Sequence, residues 1–323
     1  MPCPWVEEPM TDHHADRINA AVHSSDAVRS ALVASWRRSS ALHHLDPSER
    51  RQPRRLTDSE FRHAREKVEP LAYAAKGTLD RLYLAVGGVG CCVLLANAEG
   101  VPIERRGAHA DDATFEDWGL WTGNIWSEQA EGTNGIGTCA VEKRLVTIHR
   151  DQHFFSRNTL MSCTTAPIFD HHGNLAAVLD VSSCRADLTE GFLNLIQIAV
   201  GDAAKRIEAD GFRQSFPYAR VVLAPIHESS PSALLAVDKD DLVVGVSNSA
   251  RIAFGVPQGE AIVPRPASEY FGFAQGASPS LNDAERSALQ QALAASGGNI
   301  SSAARALGIS RATLHRKVAK HDL

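Results

Sequence analysis

Apolar residues recur at helical spacing along the first part of the chain. Over residues 12–40 they share one face of a predicted helix, at Ile18, Val22, Val28, Leu32 and Trp36. A second predicted helix covers residues 57–86 and opens with a capping box, in which Thr57 and Glu60 bond to backbone N–H groups of the first turn. Pro70 is expected to kink or divide this helix, because proline has no backbone N–H to donate.

The hydrophobic period changes at Gly87 from that of helices to that of strands. An apolar run over 91–95, a turn over 97–100 and a second run over 101–106 predict a hairpin. Further strands are predicted over residues 145–149, 159–169 and 175–182. A long amphipathic helix follows, with Phe192, Ile196, Ala199, Ala203 and Ile207 on its apolar face. Antiparallel strands flanked by helices indicate an α+β domain.

The next stretch, residues 217–275, is shorter and contains SALLAVDKDDLVVGVSNSARIAFGV. A strand, an acidic turn, a second strand and a helix entered through Asn248 and Ala250 resemble a PAS core, and EYFGF matches the place where such domains resume. About 60 residues are few for a full PAS sheet around a cofactor, so a degenerate scaffold or dimer element is favoured over a compact connector. The sequence QGASPS, residues 275–280, predicts a flexible joint.

Three helices with two tight breaks are predicted over residues 281–323. Asn282 is expected to cap the first and to form a capping box with Glu285, and Gly297 and Gly298 end it because glycine tolerates positive φ. Asn299 and Ser310 are expected to cap the second and third helices. The inward positions are Leu289, Ala292, Leu293, Ala303, Ala304, Leu307, Leu314 and Val318, with Gly308 at the turn and Ile309 at the corner.

The third helix, residues 311–321, is predicted to present cationic and polar side chains on its open side. The same phase that turns Leu314 inward leaves five positions outward, namely Arg311, Thr313, His315, Arg316 and Lys317. Arginine and lysine pair with guanine edges or phosphates, and threonine reaches a phosphate or a thymine methyl. The pattern therefore favours DNA binding over an ordinary basic helix hairpin.

The sequence NISSAARALGISRATLHRKV resembles the Fis-type helix-turn-helix that ends sigma-54-dependent enhancer-binding proteins. By that resemblance DNA contacts are expected from Ser310, Arg311, Thr313, Arg316 and Lys317, and the first helix is expected to help pair two subunits. His315 replaces the tyrosine usual in that family. A homodimer would read two half-sites of double-stranded DNA about 34 Å apart.

A dense insert, LWTGNIWSEQAEGTNGIGTCAVEKRL, interrupts the predicted strands. Together with Trp118 just before it, the insert places Trp121 and Trp126 near Glu128 and Asn134 in sequence, and aromatic walls with a few fixed polar groups suit a small-molecule pocket. The alternative is a loop whose tryptophans only fasten it to the sheet.

The segments GNIWSEQAEGTNGIGTCAV, HRDQHF and SCTTAPIFDHHGNLAAVLDVSS resemble the GAF sensor domain of AcoR-type and DhaR-type regulators, and SWRRS and LDP extend the resemblance. Those regulators govern acetoin, glycerol or dihydroxyacetone, and alcohol catabolism. Gln152 stands where that family commonly has glutamate. The residues expected to contact an effector are Trp126, Glu128, Asn134, His153, Cys163 and Thr165.

Charge is unevenly distributed along the chain. The net charge is −5, yet from Leu281 onward six Lys and Arg residues outnumber three Asp and Glu, a balance of +3 that leaves −8 elsewhere. This fits one nucleic-acid module on an acidic body. The run Arg50, Arg51, Arg54 and Arg55 is interpreted as a solvated surface rather than a second DNA contact, and His43 and His44 as surface residues rather than metal ligands.

Six cysteines without C-x-x-C spacing, and the lack of a signal peptide or a long apolar run, predict a soluble cytoplasmic chain without a zinc site or a membrane span. No catalytic residue, metal or cofactor is predicted. A redox role would use Cys91, Cys92, Cys139 or Cys163, as a thiol sensor or as a methionine-oxide reductase of the kind some GAF domains form. Apolar strands hold most of these thiols, which favours inert cysteine.

The expected organisation is multidomain α+β: an N-terminal helical region (1–75), a GAF-type sheet with flanking helices (76–210), a small PAS-like segment (217–275) and a Fis-type helix-turn-helix (280–323). No G-x-x-x-x-G-K-[ST] and no GAFTGA segment occur, so the ATPase domain usual in the resembled regulators is expected to be absent. The hypothesis is a one-component regulator of a catabolic operon with a small-molecule effector. A GAF domain that senses oxidation or a protein partner is the alternative.

Overall fold

A computed structural model shows the fold of the chain and describes residues 10–23, 30–185, 189–225, 233–271 and 280–323. These residues form two compact units, one ending at Pro266 and the other beginning at Ala267. Among the helices so described, none has the length and apolar character that crossing a bilayer requires.

The first predicted helix is two helices in the structure. Helix α1 spans Met10–His23 and α2 spans Ala31–Arg37, followed directly by a π-helical turn over Arg38–Leu42. The second helix starts anew because Ser30 has extended backbone angles and its hydroxyl accepts the Val33 N–H at 3.4 Å. The predicted apolar face is confirmed: Ile18, Val22 and Trp36 are buried against Phe154 and Phe155, and Leu32 packs beside them, whereas Val28 lies outside the described residues.

The predicted division at Pro70 is confirmed. Helix α3 spans Asp58–Glu66, and α4 spans Glu69–Val86 with Pro70 in its first turn, where the missing N–H costs nothing. The capping box at the start of α3 is present, because Thr57 N donates to Glu60 at 2.8 Å and Glu60 N donates to the Thr57 hydroxyl.

An antiparallel sheet of five strands forms the centre of the first unit, in the order β2-β1-β5-β4-β3. The strands are β1 (Cys91–Asn97), β2 (Pro102–Arg106), β3 (Val146–His149), β4 (Ser162–Phe169) and β5 (Leu175–Ser183). All five lie where the hydrophobic pattern predicted strands, and β4 begins three residues later than Thr159.

Alternate residues of β1 supply two separate cores. Cys91, Val93 and Leu95 face α4 and the long helix α8, which follows the sheet. Cys92 and Leu94 face the opposite side, beneath the insert. A strand buried on both faces reads as a continuous apolar run, as residues 91–96 do. Helix α8 spans Glu190–Ser215 and is capped by the Thr189 hydroxyl.

The second face of the sheet is covered by the short helix α5 (Asp112–Asp117), which precedes the insert, and by two short helices of the insert, α6 (Glu128–Glu131) and α7 (Gly135–Glu142). Helix α7 lies directly on the strands: a Cβ at Gly135 would sit 2.5 Å from the Thr165 hydroxyl and 2.6 Å from Cys163 Cβ. A Cβ at Gly137 would overlap the backbone of Trp126 and Glu128. The glycines therefore let α7 approach both the sheet and the start of α6.

A second antiparallel sheet follows α8, with the order β6-β7-β8-β9. Its strands are β6 (Arg220–Leu223), β7 (Leu234–Val237), β8 (Leu242–Val246) and β9 (Arg265–Pro266), and α9 (Asn248–Phe254) follows β8. The predicted strand, acidic turn, strand and helix are thus present. Arg251 of α9 is 2% exposed and donates to His171 O at 3.1 Å and to Pro257 O at 2.7 Å. The bond to His171 fastens this small sheet to the β4–β5 turn.

The second unit contains the short helix α10 (Ala267–Phe271) and three further helices, α11 (Leu281–Ala295), α12 (Ile300–Ala306) and α13 (Arg311–Lys320). Residues 275–279 of the predicted joint and the end of EYFGF lie outside the described residues. Leu289, Ala303, Ala304 and Leu314 are buried together, with Val318 packed against them, as the helical phase predicted.

The capping box predicted from Asn282 and Glu285 is wrong. The first helix is capped two residues earlier, where Ser280 accepts the Asp283 N–H at 3.2 Å and Asp283 accepts the Ser280 N–H at 3.1 Å. Glu285 instead faces α13. The tertiary contact therefore determines the position of Glu285.

Candidate DNA-binding surface and buried polar cluster

Helix α13 is held in place by its N-terminal cap and by the turn before it. Ser310 accepts the Thr313 N–H at 3.1 Å, and the two hydroxyls lie 2.8 Å apart. Gly308 has φ +66°, a conformation that favours glycine, and links α12 to this cap. In the same way Asn299 accepts the Ser302 N–H at 3.1 Å and starts α12. Both predicted caps are present, so a residue next to each helix fixes where α12 and α13 begin.

The outward side of α13 carries the predicted cations. Arg311, His315 and Arg316 are exposed, and Thr313 is half-buried beside the cap. Arg305, at the end of α12, is also exposed and was not among the predicted contacts. Exposed guanidinium groups at the start of a capped helix suit the phosphates and guanine edges of a major groove.

Lys317 differs from the other predicted contacts because its ammonium group is bonded inside the unit. It is half-buried and forms an ion pair with Glu285 of α11. Lys320 and the buried His321 donate to the same carboxylate, at 3.2 Å and 2.8 Å. Hydrogen bonds from Lys317, His321 and Lys320 lower the pKa of Glu285 to about 2. These bonds hold α13 against α11. Among the predicted cationic contacts, Lys317 is therefore engaged within the unit, whereas Arg311 and Arg316 are exposed.

All six predicted effector contacts are buried in the first unit, between 0% and 3% exposed. Two of them hold the backbone of the insert. Trp126 donates its indole N–H to Gly119 O at 2.7 Å. Asn134 caps α7, since its carbonyl accepts the Gly137 N–H at 2.9 Å and its amide donates to Gly132 O at 2.8 Å.

Glu128 is bound by the N-terminal helices. Arg38 donates to its two carboxylate oxygens at 2.6 Å and 3.1 Å, and the Ser35 hydroxyl donates at 2.9 Å. Ser35 also contacts the Thr133 hydroxyl at 2.7 Å. The pKa of Arg38 is raised, chiefly by its hydrogen bond to Glu128. Ser35 and Arg38 belong to the SWRRS stretch, and neither is among the predicted effector contacts.

The other three predicted contacts are Cys163 and Thr165 on β4, beneath α7, and His153 in the segment between β3 and β4. Thr165 donates to Asp180 at 2.7 Å, and Ser182 donates to the same carboxylate at 2.5 Å. The Cys163 sulfur lies 3.5 Å from His153 Nε2 and 3.1 Å from the Ser182 hydroxyl. Asp180 and Ser182 were missed by sequence reasoning. The only signal for Asp180 was one carboxylate inside the apolar strand LAAVLDVSS.

Burial shifts the titration of this cluster towards neutral forms. It raises the pKa of Asp180 to about 6 and the pKa of the Cys163 thiol well above its ordinary value, and it lowers the pKa of His153 to about 4. The Cys91, Cys92 and Cys139 pKa values are also raised by burial. A reactive thiol needs the opposite shift, so the cluster is poorly suited to thiol chemistry.

A cavity of about 210 Å³ lies beside α7, between α2, β3 and α8. It is lined by Ala31, Leu32, Thr138, Arg144, Leu145, Val146, Thr147, Ile148, Gln152 and Gln197. Gln152 is the residue that departs from the resembled family. None of the six predicted effector contacts lines this cavity.

Comparison with known families identifies both parts of the chain. Residues 12–208 match the family model described as "MimR, N-terminal domain", and residues 280–321 match "Bacterial regulatory protein, Fis family". The chain belongs to the MimR N-terminal domain family. Its C-terminal helices are a Fis-family helix-turn-helix, as the resemblance had implied.

The curated relatives of this MimR-type chain are regulators of transcription. The acetoin catabolism regulatory protein of Cupriavidus necator is 33% identical over 242 residues, covering 74% of this chain and 35% of its own. The propane 2-monooxygenase operon transcriptional activator MimR of Mycolicibacterium smegmatis is 29% identical over 179 residues. That match covers 54% of this chain and 29% of the relative. The chain thus spans about a third of the length of these relatives. The prediction that the chain is a regulator rather than an enzyme agrees with them.

A solved structure shares the fold. The E. coli DhaR(N)–DhaL complex contains a chain that superposes with a TM-score of 0.52 and 15% identity, covering 81% of this chain and 86% of its own. The mixed arrangement of helices and antiparallel sheets predicted for this MimR-type chain agrees with that likeness.

Proposed function

We propose that the chain is a one-component, sequence-specific DNA-binding regulator of a catabolic operon, and that its MimR-type region controls DNA affinity in response to a small metabolite without ATP hydrolysis. The observation that carries the proposal is the capped helix α13, which presents Arg311 and Arg316 to solvent on a Fis-family fold. The names of two relatives, which refer to acetoin catabolism and to a propane 2-monooxygenase operon, support a catabolic operon as the target.

DNA recognition would use two copies of α13 on a homodimer. Arg311 and Arg316 supply the cationic contacts, with Ser310, Thr313 and His315 beside them, and Lys317 contributes as far as its ion pair with Glu285 allows. Half-sites about one turn of DNA apart, roughly 34 Å, would match such a pair.

Effector sensing would use the buried polar cluster and the helices that cover it. A small hydroxy- or keto-metabolite has hydroxyl or carbonyl groups that can hydrogen-bond to Glu128, Asn134, His153 and Thr165. Trp126 and Cys163 would be its apolar neighbours. These polar groups now bond within the chain, so a ligand would exchange those bonds for its own. A coupling of about 1–3 kcal/mol between effector and DNA is enough for a switch.

The test begins with selection of bound fragments from the source genome by the purified chain. A specific duplex should then be retained, and its affinity should fall steeply with salt because several phosphates are neutralised per dimer. Metabolites consumed by the enzymes encoded beside the bound site are added next, and a change in affinity is expected for one of them. Absence of any preferred duplex would overturn the DNA-binding part. A preferred duplex whose affinity responds to none of these metabolites would overturn the effector part alone.

A further inference from the structure

The carboxylate of Glu285 lies between α11 and α13 within the second unit. Glu285 precedes the buried Leu289 by four residues and the buried Ala292 by seven, so helical spacing places it on the inward side of α11. Its side chain is nevertheless 27% exposed. The carboxylate is therefore directed at α13 while solvent still reaches it.

Three donors of α13 share this carboxylate. Lys317 forms an ion pair with Oε1, and Lys320 and His321 donate to Oε2 at 3.2 Å and 2.8 Å. His321 is buried, so its bond belongs to the packing of α13 on α11. The side chain of Lys317 is 31% exposed. Its ammonium group can therefore leave the carboxylate while the bond from His321 remains.

Lys317 lies on a flank of α13, between the buried side and the open side of the helix. Leu314, one turn before it, marks the buried side, and its neighbour Arg316 marks the open side. A lysine has a long flexible stem that ends in a compact charge. At this flank the ammonium group can reach either the carboxylate of α11 or a phosphate of DNA that lies along the open side.

The sequence gives these two helices no acidic residue of their own. Residues 300–321, which include α12 and α13, contain neither Asp nor Glu. The negative charge that pairs with Lys317 is thus supplied by α11. It stays on the opposite helix when α13 approaches DNA, so the phosphate and Glu285 require the same ammonium group.

We propose that Glu285 competes with DNA phosphates for the ammonium group of Lys317 and thereby limits the affinity of the chain for DNA. The inference rests on the proposed function, in which α13 contacts DNA. While Glu285 is charged, a phosphate contact of Lys317 forms only as the ion pair with Glu285 breaks, so the two terms offset each other. Phosphate contacts carry no sequence information, and the limit therefore applies to every duplex.

The test compares wild type with Glu285→Gln in mobility-shift titrations, using the duplex selected from the source genome and a scrambled duplex. Glutamine keeps an oxygen that can accept the His321 bond. Both duplexes should bind at least about threefold more tightly at about 150 mM salt, because an exposed ion pair is weak but is lost in both subunits. The slope of log affinity against log salt should steepen by roughly 2 per dimer, since each released Lys317 neutralises one more phosphate.

A matched variant separates this competition from an effect of net charge. Asp322→Asn removes the same charge from an exposed position just after α13. It should have little effect on affinity or on the salt slope, because salt screens exposed charges that are not in contact. Equal tightening by Asp322→Asn and Glu285→Gln would overturn the proposal.

A double-mutant cycle assigns the effect to Lys317. Lys317→Gln should weaken binding only slightly in the wild-type chain, where Glu285 already engages the lysine. The same change should reverse most of the gain in the Glu285→Gln chain. Equal losses in the two backgrounds would mean that Glu285 does not restrain Lys317, and the proposal would be wrong.

Melting temperatures above the assay temperature would show that the variants are folded. If Glu285→Gln is unfolded, Glu285→Asp serves instead, because the shorter side chain withdraws the carboxylate from Lys317 without changing the net charge, and it too should tighten binding. A preferred duplex whose affinity is unchanged in the folded variant would overturn this inference alone. Lack of any preferred duplex for wild type would overturn the proposed function, and this inference with it.

Discussion

Arg38 donates to both carboxylate oxygens of Glu128, across 90 residues of sequence, with its Nε 2.6 Å from the nearer oxygen. The glutamate is 2% exposed, and the arginine closes it off from the N-terminal side. Arg38 of the SWRRS stretch and Glu128 of the GNIWSEQAEGTNGIGTCAV stretch thus form one ion pair. The N-terminal helices complete the MimR-type core rather than merely preceding it.

Removing Arg38 should destabilise the first unit. The Arg38→Ala variant leaves Glu128 buried with the Ser35 hydroxyl as its remaining donor, and we expect a loss of about 3 kcal/mol in the free energy of unfolding. Urea denaturation of the full chain, followed by tryptophan fluorescence, measures it. The exposed neighbour Arg37, changed to alanine, is the matched control and should lie within about 0.5 kcal/mol of wild type. Equal losses in the two variants would contradict a specific role for the ion pair.

Removing Arg311 and Arg316 together should abolish specific DNA binding. Each arginine is expected to contribute about 1–3 kcal/mol through phosphate or base contacts, so the double alanine variant should lose more than about a hundredfold in affinity. Mobility-shift titration with the selected duplex measures the change. Arg286→Ala removes an exposed cation from α11 and should retain nearly full affinity. If the double variant still protects the same footprint, α13 is not the reading helix.

Glu285 should make the stability of the second unit depend on pH. Hydrogen bonds from Lys317, His321 and Lys320 lower its pKa from 4.5 to about 2, so the folded state holds the carboxylate more strongly than the unfolded state does. That stabilisation is complete above the unfolded pKa and is lost as the pH falls through about 2. Glu285→Gln should therefore lower the melting temperature at pH 7 and have progressively less effect below pH 4.5.

Calorimetric scans of both chains between pH 2 and pH 7 follow this difference. The exposed Asp322→Asn change in the same unit should show no such convergence. A difference between wild type and Glu285→Gln that stays constant with pH would rule the cluster out as its source.

Asp180 should have the opposite pH dependence. Burial raises its folded pKa from 3.8 to about 6, so the native state binds the proton more tightly and stability falls as the pH rises through that window. Asp180→Asn removes the ionising group. Between pH 4 and pH 7 its free energy of unfolding should therefore rise relative to wild type by roughly 2–3 kcal/mol. Urea denaturation across this range tests the sign, with the exposed Asp202→Asn as control.

The sequence predicts correctly those features that one side chain and the backbone beside it determine. Thr57 with Glu60, Asn299 and Ser310 cap their helices as predicted, and Pro70 divides two helices. The strands follow the apolar runs because a sheet buried on both faces needs such runs. These features depend on neighbours in sequence, which a single chain displays.

Distant partners decided the features that the sequence did not reveal. Glu285 had the correct spacing for a cap, but the ammonium group of Lys317 lies 32 residues away in sequence and binds it instead. In the sequence Asp180 is an isolated polar residue within an apolar strand. In the fold Thr165 and Ser182 donate hydrogen bonds to its carboxylate. Likewise, the predicted effector residues were chosen by chemistry, and only the fold shows that their polar groups bond to one another, to the backbone and to the N-terminal helices.

One hydrogen bond of Arg251, from Nε to His171 O at 3.1 Å, joins the small second sheet to the β4–β5 hairpin of the first. A second bond, from Gly259 N to His172 O at 2.7 Å, joins the same two parts, so the β4–β5 hairpin and the segment around α9 are held together at two points. An amino-acid change at Arg251 is therefore expected to loosen α9 from the β4–β5 hairpin within the first unit.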